Sequence, residues 1–176
     1  METVHTGRVW KFGDRISTAC KMPGHRVLAN PDLTVEEAAQ FCMEANRPGW
    51  AKDVQPGAIL IAGINFGCGS SRNGSQSLKA LQISVVLAES ISRIHLRNAV
   101  NTGLPTLVAP GISEFVEEGQ ELKVNIVTGE VENLGTGAVL QADPWEEGTP
   151  PYEILMAGGL DAYMKVKLKE RGLIST

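Results

Sequence analysis

Three short apolar runs constrain this chain more than anything else in it: "AILIAG" (58–63), "SVVLAE" (84–89) and "PTLVA" (105–109). Runs of this length, rich in Val, Ile and Leu and bounded by turn residues, read as buried strands. Two helical stretches separate them. "SQSLKALQ" (75–82) follows the first strand after a glycine-rich loop, and "ISRIHLRNAVNTG" (91–103) follows the second and stops at Gly103. The order strand–loop–helix–strand–helix–strand predicts a parallel α/β core with right-handed crossovers.

The flanking segments have a different character. "RVWKF" (8–12) reads as a short strand, and "GDRISTACKMPGHRVLANPD" (13–32), irregular and rich in Gly, Pro and Asn, as an exposed loop. Thr34 and Glu37 have the spacing of a capping box, which predicts a helix over "VEEAAQFCMEAN" (35–46). Pro56-Gly57 marks the turn into the first buried strand. Downstream, Leu122, Val124 and Ile126 alternate with polar residues and Thr128-Gly129 supplies a turn, so 121–134 reads as an antiparallel hairpin. The last third, from "PPYEILMAGG" to "LDAYMKVKLKERG", reads as helices packed against the core. The expectation is one mixed α/β domain over residues 1–176.

Composition removes whole classes of function. Hydrophobic residues are 43% and charged residues 20% of the chain, the profile of a soluble globular protein. A net charge of −4 leaves no basic footprint for nucleic acid. No apolar run approaches the roughly 20 residues of a membrane span. The start, "METVHTGRVWKFGDR", lacks the apolar segment of a signal peptide, so the cytoplasm is the expected compartment. Cys20, Cys42 and Cys68 are widely spaced and odd in number, offering neither a disulfide framework nor a CxxC metal site. His5 and His95 are isolated and share no ligand spacing.

Chemistry concentrates in "INFGCGSSR" (64–72). Gly67 and Gly69 let the backbone turn sharply and bring its N–H groups close to a neighbour, and Ser70, Ser71 and Arg72 are donors. The set suits an anion. A P-loop would need Lys-Ser or Lys-Thr after the glycines, and none follows. A dinucleotide fingerprint would need a third glycine where Arg72 stands, although Glu89 lies 20 residues beyond Gly69. Two readings stay open on these residues alone: a structural turn with serines at a helix N-terminus, or an anion site.

"INFGCGSSR", "RNAVNTGLP", "RVWKFGDRIST" and "GQELKVNIVTGEV" together resemble the small subunit of the isopropylmalate isomerase and homoaconitase family, the swivelling domain of the aconitase superfamily. The resemblance covers most of the chain. It implies a swivelling β/β/α domain, with a mixed sheet and flanking helices. It also implies a large partner subunit carrying a [4Fe–4S] cluster, with this chain closing the active site over it. The implied reaction moves a hydroxyl group by dehydration and rehydration of a 2-hydroxy acid. Ser70 falls on the serine that acts as base, while Ser71 and Arg72, with Gly69, fall on the substrate-binding residues. Arg26, in the loop "KMPGHRVLAN" (21–30), is the candidate for a distal substrate group, with His25 beside it. Arg93, Arg97 and Asn98 match the family's helix and read as structural or partner-facing.

Two positions depart from the family pattern. Where an Asp usually ends the stretch after the opening strand, this chain has Ala19 in Ile16-Ser17-Thr18-Ala19. Where Glu-His or Glu-Tyr usually follows the serine-arginine motif, it has Asn73-Gly74. Altered substrate choice, a diverged carboxylate-binding or regulatory subunit, and a stand-alone carboxylate-binding protein remain the alternatives to the hydro-lyase reading.

Overall fold

The structure, a computed structural model, describes residues 1–18, 32–69 and 74–173. Four strands, Val4–Lys11 (β1), Ile59–Ala62 (β2), Val85–Ala88 (β3) and Thr106–Val108 (β4), pair in parallel. Three more, Glu121–Asn125 (β5), Glu130–Asn133 (β6) and Val139–Gln141 (β7), pair antiparallel. All seven make one sheet in the order β4-β3-β2-β1-β5-β6-β7. β1 joins the halves: Val9–Lys11 run parallel to β2, while Val4–Arg8 run antiparallel to β5.

Every residue of β2 and β3 is buried, as the apolar runs required. Helices α1 (Val35–Ala39), α2 (Trp50–Asp53), α3 (Gly74–Ala80) and α4 (Arg93–Thr102) follow in chain order. On one face of the sheet, Leu60 and Val86 pack with Phe12, Trp50, Phe66, Leu78 and Ala99. On the other, Ile59, Ile61, Val85 and Leu87 pack with Ile112 of the four-residue helix α5 (Ile112–Phe115) and with Leu122, Val124 and Val131. Because β5 and β6 contribute to this second cluster, the sheet curls until its antiparallel half covers a face of its parallel half. Each fully buried Leu or Ile in these layers contributes about 1.5–3 kcal/mol, so the curl is held by apolar burial rather than by the short α5.

Several elements differ from expectation. β1 starts at Val4 rather than at 8, because its first half is paired to β5, more than a hundred residues away. The capping box is present, with Thr34 Oγ1 accepting from Glu37 N at 3.2 Å and Glu37 Oε2 accepting from Thr34 N at 2.8 Å. The helix it opens nevertheless ends at Ala39. Residues 40–46 are turns, because Met43 takes a left-handed φ of 61° and both Cys42 and Met43 are buried. β7 and the short helices α2 and α5 were not anticipated. Pro150–Met156 (α6) and Leu160–Glu170 (α7) are helical, but only α6 reaches the interior, through Leu155. α7 has no buried residue and lies against α6 and α4, a correction to the expected core packing.

Candidate active site

The glycine loop leaves β2 at the carboxyl ends of the parallel strands and lies between two other loops. On one side are residues 13–18, which follow β1. Gly63 N donates to Gly13 O at 3.2 Å, Ile64 N to Asp14 Oδ1 at 2.8 Å, and Arg15 N to Ile64 O at 2.7 Å. Gly67 N then donates to Ile16 O at 2.8 Å and Thr18 N to Cys68 O at 2.9 Å. The Cys68 thiol lies 3.5 Å from Arg15 O. On the other side are residues 89–92, which follow β3. Asn65 N donates to Ser90 Oγ at 2.8 Å, Phe66 N to Ser90 O at 2.9 Å, and Ser92 N to Phe66 O at 2.9 Å. Ser92 Oγ donates to Gly67 O at 2.6 Å. The loop is thus bonded on both sides like a short central strand.

Gly67 and Gly69 have φ of 75° and 83°, the sharp turning expected of them. Arg15 (53°) and Asn65 (58°) share the left-handed region although they carry side chains, so strain collects here. One expectation is corrected. The Gly67 N–H is spent on Ile16 O and cannot face an anion, and a Cβ at 67 would overlap the side chain of His95. Gly67 therefore serves the close approach of the loop to α4. Gly69 is exposed, with Thr18 Oγ1 3.4 Å from where its Cβ would be.

Ser70, Ser71, Arg72 and Asn73 lie outside the described residues, as do Ala19, Cys20, His25 and Arg26. The described residues on either side of 70–73 are Gly69, fixed through Cys68 and Gly67, and Gly74, which begins α3. The serine–arginine segment is therefore carried between a strapped loop and a helix start.

His95 is buried, its ring edge-on to Phe66 with centroids 4.9 Å apart, so it is a packing residue behind the loop. Ser90 and Ser92, along with Asp14, are the residues that sequence reasoning missed. The one available signal was Ser92 as N-cap of α4, where its Oγ accepts from His95 N at 3.3 Å. Arg93 and Arg97 line a groove of about 360 Å³ with Leu96, Trp145 and Ile154.

Glu89, the residue a dinucleotide site would have used on a ribose, is occupied elsewhere. Its carboxylate accepts from Gly111 N at 2.6 Å and Ser113 N at 2.7 Å, at the start of α5. Burial pushes its pKa up, but the bonds from Ser113 and Gly111 outweigh burial and hold it below the usual carboxylate range. Among the described residues no three His, Cys, Asp or Glu side chains converge to hold a metal ion, so these residues do not fit a cluster. Cys42 is buried and Cys68 partly exposed. Among the described residues no helix is long and apolar enough to cross a membrane.

Residues 22–111 match the Aconitase C-terminal domain family, the class to which this curled mixed sheet and strapped glycine loop correspond. The isopropylmalate/citramalate isomerase small subunit of Methanocaldococcus jannaschii is 48% identical over 97% of this chain and 99% of its own. The methanogen homoaconitase small subunit of Methanothermobacter thermautotrophicus is 36% identical over 94% of each chain. The crystal structure of 3-isopropylmalate dehydratase (LeuD) from Methanocaldococcus jannaschii superposes with a TM-score of 0.88 at 30% identity, covering 96% of this chain and 98% of that one. The chain belongs to the aconitase C-terminal-domain family, among the small subunits of 3-isopropylmalate dehydratase and its relatives.

Proposed function

We propose that this chain is the small subunit of a cytoplasmic two-subunit hydro-lyase that dehydrates and rehydrates a 2-hydroxy di- or tricarboxylic acid. The observation that carries the reading is the glycine loop, strapped on both sides by backbone bonds and leading directly into Ser70-Ser71-Arg72. Partners from the two neighbouring loops hold the approach to these residues in one place.

In this reading Ser70 takes the proton from the carbon beside a substrate carboxylate as the hydroxyl leaves the neighbouring carbon. Water then adds back across the double bond in the opposite sense, which moves the hydroxyl. A serine is too weak a base at neutral pH unless its anion is stabilised. With the Gly67 N–H already engaged, that work falls to Arg72, which also grips a carboxylate bidentately. Ser71 and Gly69 complete the carboxylate site, and Arg26 meets the distal group of the substrate. Lewis acidity toward the leaving hydroxyl is the chemistry a [4Fe–4S] cluster on the large subunit supplies. The whole of 1–176 acts as one domain that covers that subunit's site.

The test is reconstitution. The purified chain should contain no iron and hydrate no unsaturated dicarboxylate, and turnover should appear on adding the cluster-bearing large subunit. Iron–sulfur absorbance and turnover from the chain alone would overturn the reading, as would a loaded complex inactive on isopropylmalate, citramalate and homocitrate.

A further inference from the structure

We propose that Ser92 is a positioning residue for the glycine loop: its hydroxyl holds the Gly67 carbonyl against α4 and so fixes the loop three residues before Ser70. The inference rests on the hydro-lyase reading for its catalytic consequence, and on geometry alone for the strut itself. Ser92 is the N-cap of α4, and its half-buried Oγ makes two bonds at once, accepting from His95 N at 3.3 Å and donating to Gly67 O at 2.6 Å. Its own N–H donates to Phe66 O at 2.9 Å. A hydroxyl has one hydrogen to give and two lone pairs, so it can do both. Helix capping needs only the lone pair, and Asp or Asn would cap α4 as well as Ser does. The donor half of the bond therefore has a separate use.

That use is to fix Gly67. Its N–H is held by Ile16 O on one side, its C=O by Ser92 on the other, and its left-handed φ brings it under His95. Gly67 stands three residues before Ser70. Losing the strut frees the carbonyl and lets the loop lift from α4. A shift of about 1 Å in a reacting group is enough to cost on the order of 100-fold in rate.

The chemistry of the side chain supplies a test that separates the two roles. Ser92→Thr keeps acceptor and donor, Ser92→Asp keeps the cap acceptor but has no hydrogen for Gly67 O, and Ser92→Ala keeps neither. In the reconstituted complex, Ser92→Thr should stay within about threefold of wild type. Ser92→Asp should lose roughly 10- to 100-fold in kcat, more than any rise in KM, with some loss of thermal stability because its carboxylate faces the Gly67 carbonyl in place of a donor. Ser92→Ala should lose both activity and stability. In the isolated chain, hydrogen exchange over 64–69 should quicken in the Asp and Ala variants, and the His95 amide should lose protection only in Ala. Wild-type kcat in Ser92→Asp, or unchanged exchange over 64–69, overturns the inference. A loaded wild-type complex with no activity overturns the hydro-lyase reading and the catalytic consequence together, while the exchange arm still decides the strut.

Discussion

The two halves of the sheet close their connections differently. In the antiparallel half the turns are closed mainly by their own residues. Asn125 Oδ1 accepts from Val127 N and Thr128 N at 3.0 and 3.2 Å, and Gly129 N returns to Asn125 O at 2.9 Å. Asn133 does the same for the next turn, accepting from Gly135 N at 3.0 Å through its side chain and from Gly137 N at 2.7 Å through its carbonyl. In the parallel half no site loop is self-sufficient. Asp14 serves Ile64, 50 residues on, and Ser90 serves Asn65, 25 residues back. The hairpin turns are closed mainly from within, with Gln141 Nε2 reaching Thr128 O at 2.7 Å and Asn133 Nδ2 reaching Gln120 Oε1 at 3.0 Å from the adjoining strands, whereas the loops 13–18, 63–69 and 89–92 form one body whose parts hold each other. Damage to a hairpin should stay where it is made, and damage to a site loop should spread to the chemistry.

The largest break in this contrast is Gly67→Ala. The methyl meets the side chain of His95 close to its backbone, and alanine at φ 75° adds left-handed strain. Together these should cost more than about 3 kcal/mol in denaturant unfolding and remove nearly all turnover in the complex. A sharper pair is Asp14→Ala against Asn125→Ala. Each deletes a side-chain acceptor for turn N–H groups, and each should cost about 1 kcal/mol. Only Asp14→Ala should lower kcat, by about tenfold, while Asn125→Ala stays within twofold. Equal kcat losses in the two would mean that the hairpin turns and the site loops are coupled alike.

The smallest effect is a pH dependence at Glu89. Its folded pKa is held down by the N–H groups of Ser113 and Gly111 acting against burial. A depressed carboxylate contributes stability that is present above its unfolded pKa and lost as pH falls through its folded one. Glu89→Gln should therefore show a shallower loss of stability than wild type between about pH 5 and pH 3, measured by thermal unfolding across that range.

β2, β3 and β4 were legible because each is apolar at nearly every position, and α4 because Gly103 stops it with a left-handed φ of 69°. The hairpin at 121–134 followed from Leu122 and Val124, both buried while their neighbours Glu121 and Lys123 are exposed. What escaped depends on distant partners. The first half of β1 is a strand because β5 pairs with it, and β7 is three residues long with no buried position. The helix begun by Thr34 and Glu37 stops early because Cys42 and Met43 turn into the core, which local propensity does not register. In the site, the glycines announced a turn, but Asp14, Ser90 and Ser92 act across 25 to 50 residues and carry no motif of their own. The N–H of Gly67 looked available for an anion until Ile16 was found bonded to it.

The central claim is that the strapped loop delivers a serine base, and Ser70→Ala in the complex with its cluster-bearing large subunit tests it most directly. The variant keeps Gly67, its straps and Arg72, so the loop should hold its place and substrate should still bind. Steady-state kinetics should show KM within a few-fold of wild type and kcat reduced by roughly 10²- to 10⁴-fold, the usual worth of a positioned base. A Ser70→Ala complex turning over at the wild-type rate would contradict the claim. "GCGSSR" would then be a structural turn, and Ala19 and Asn73 would mark a subunit without chemistry of its own.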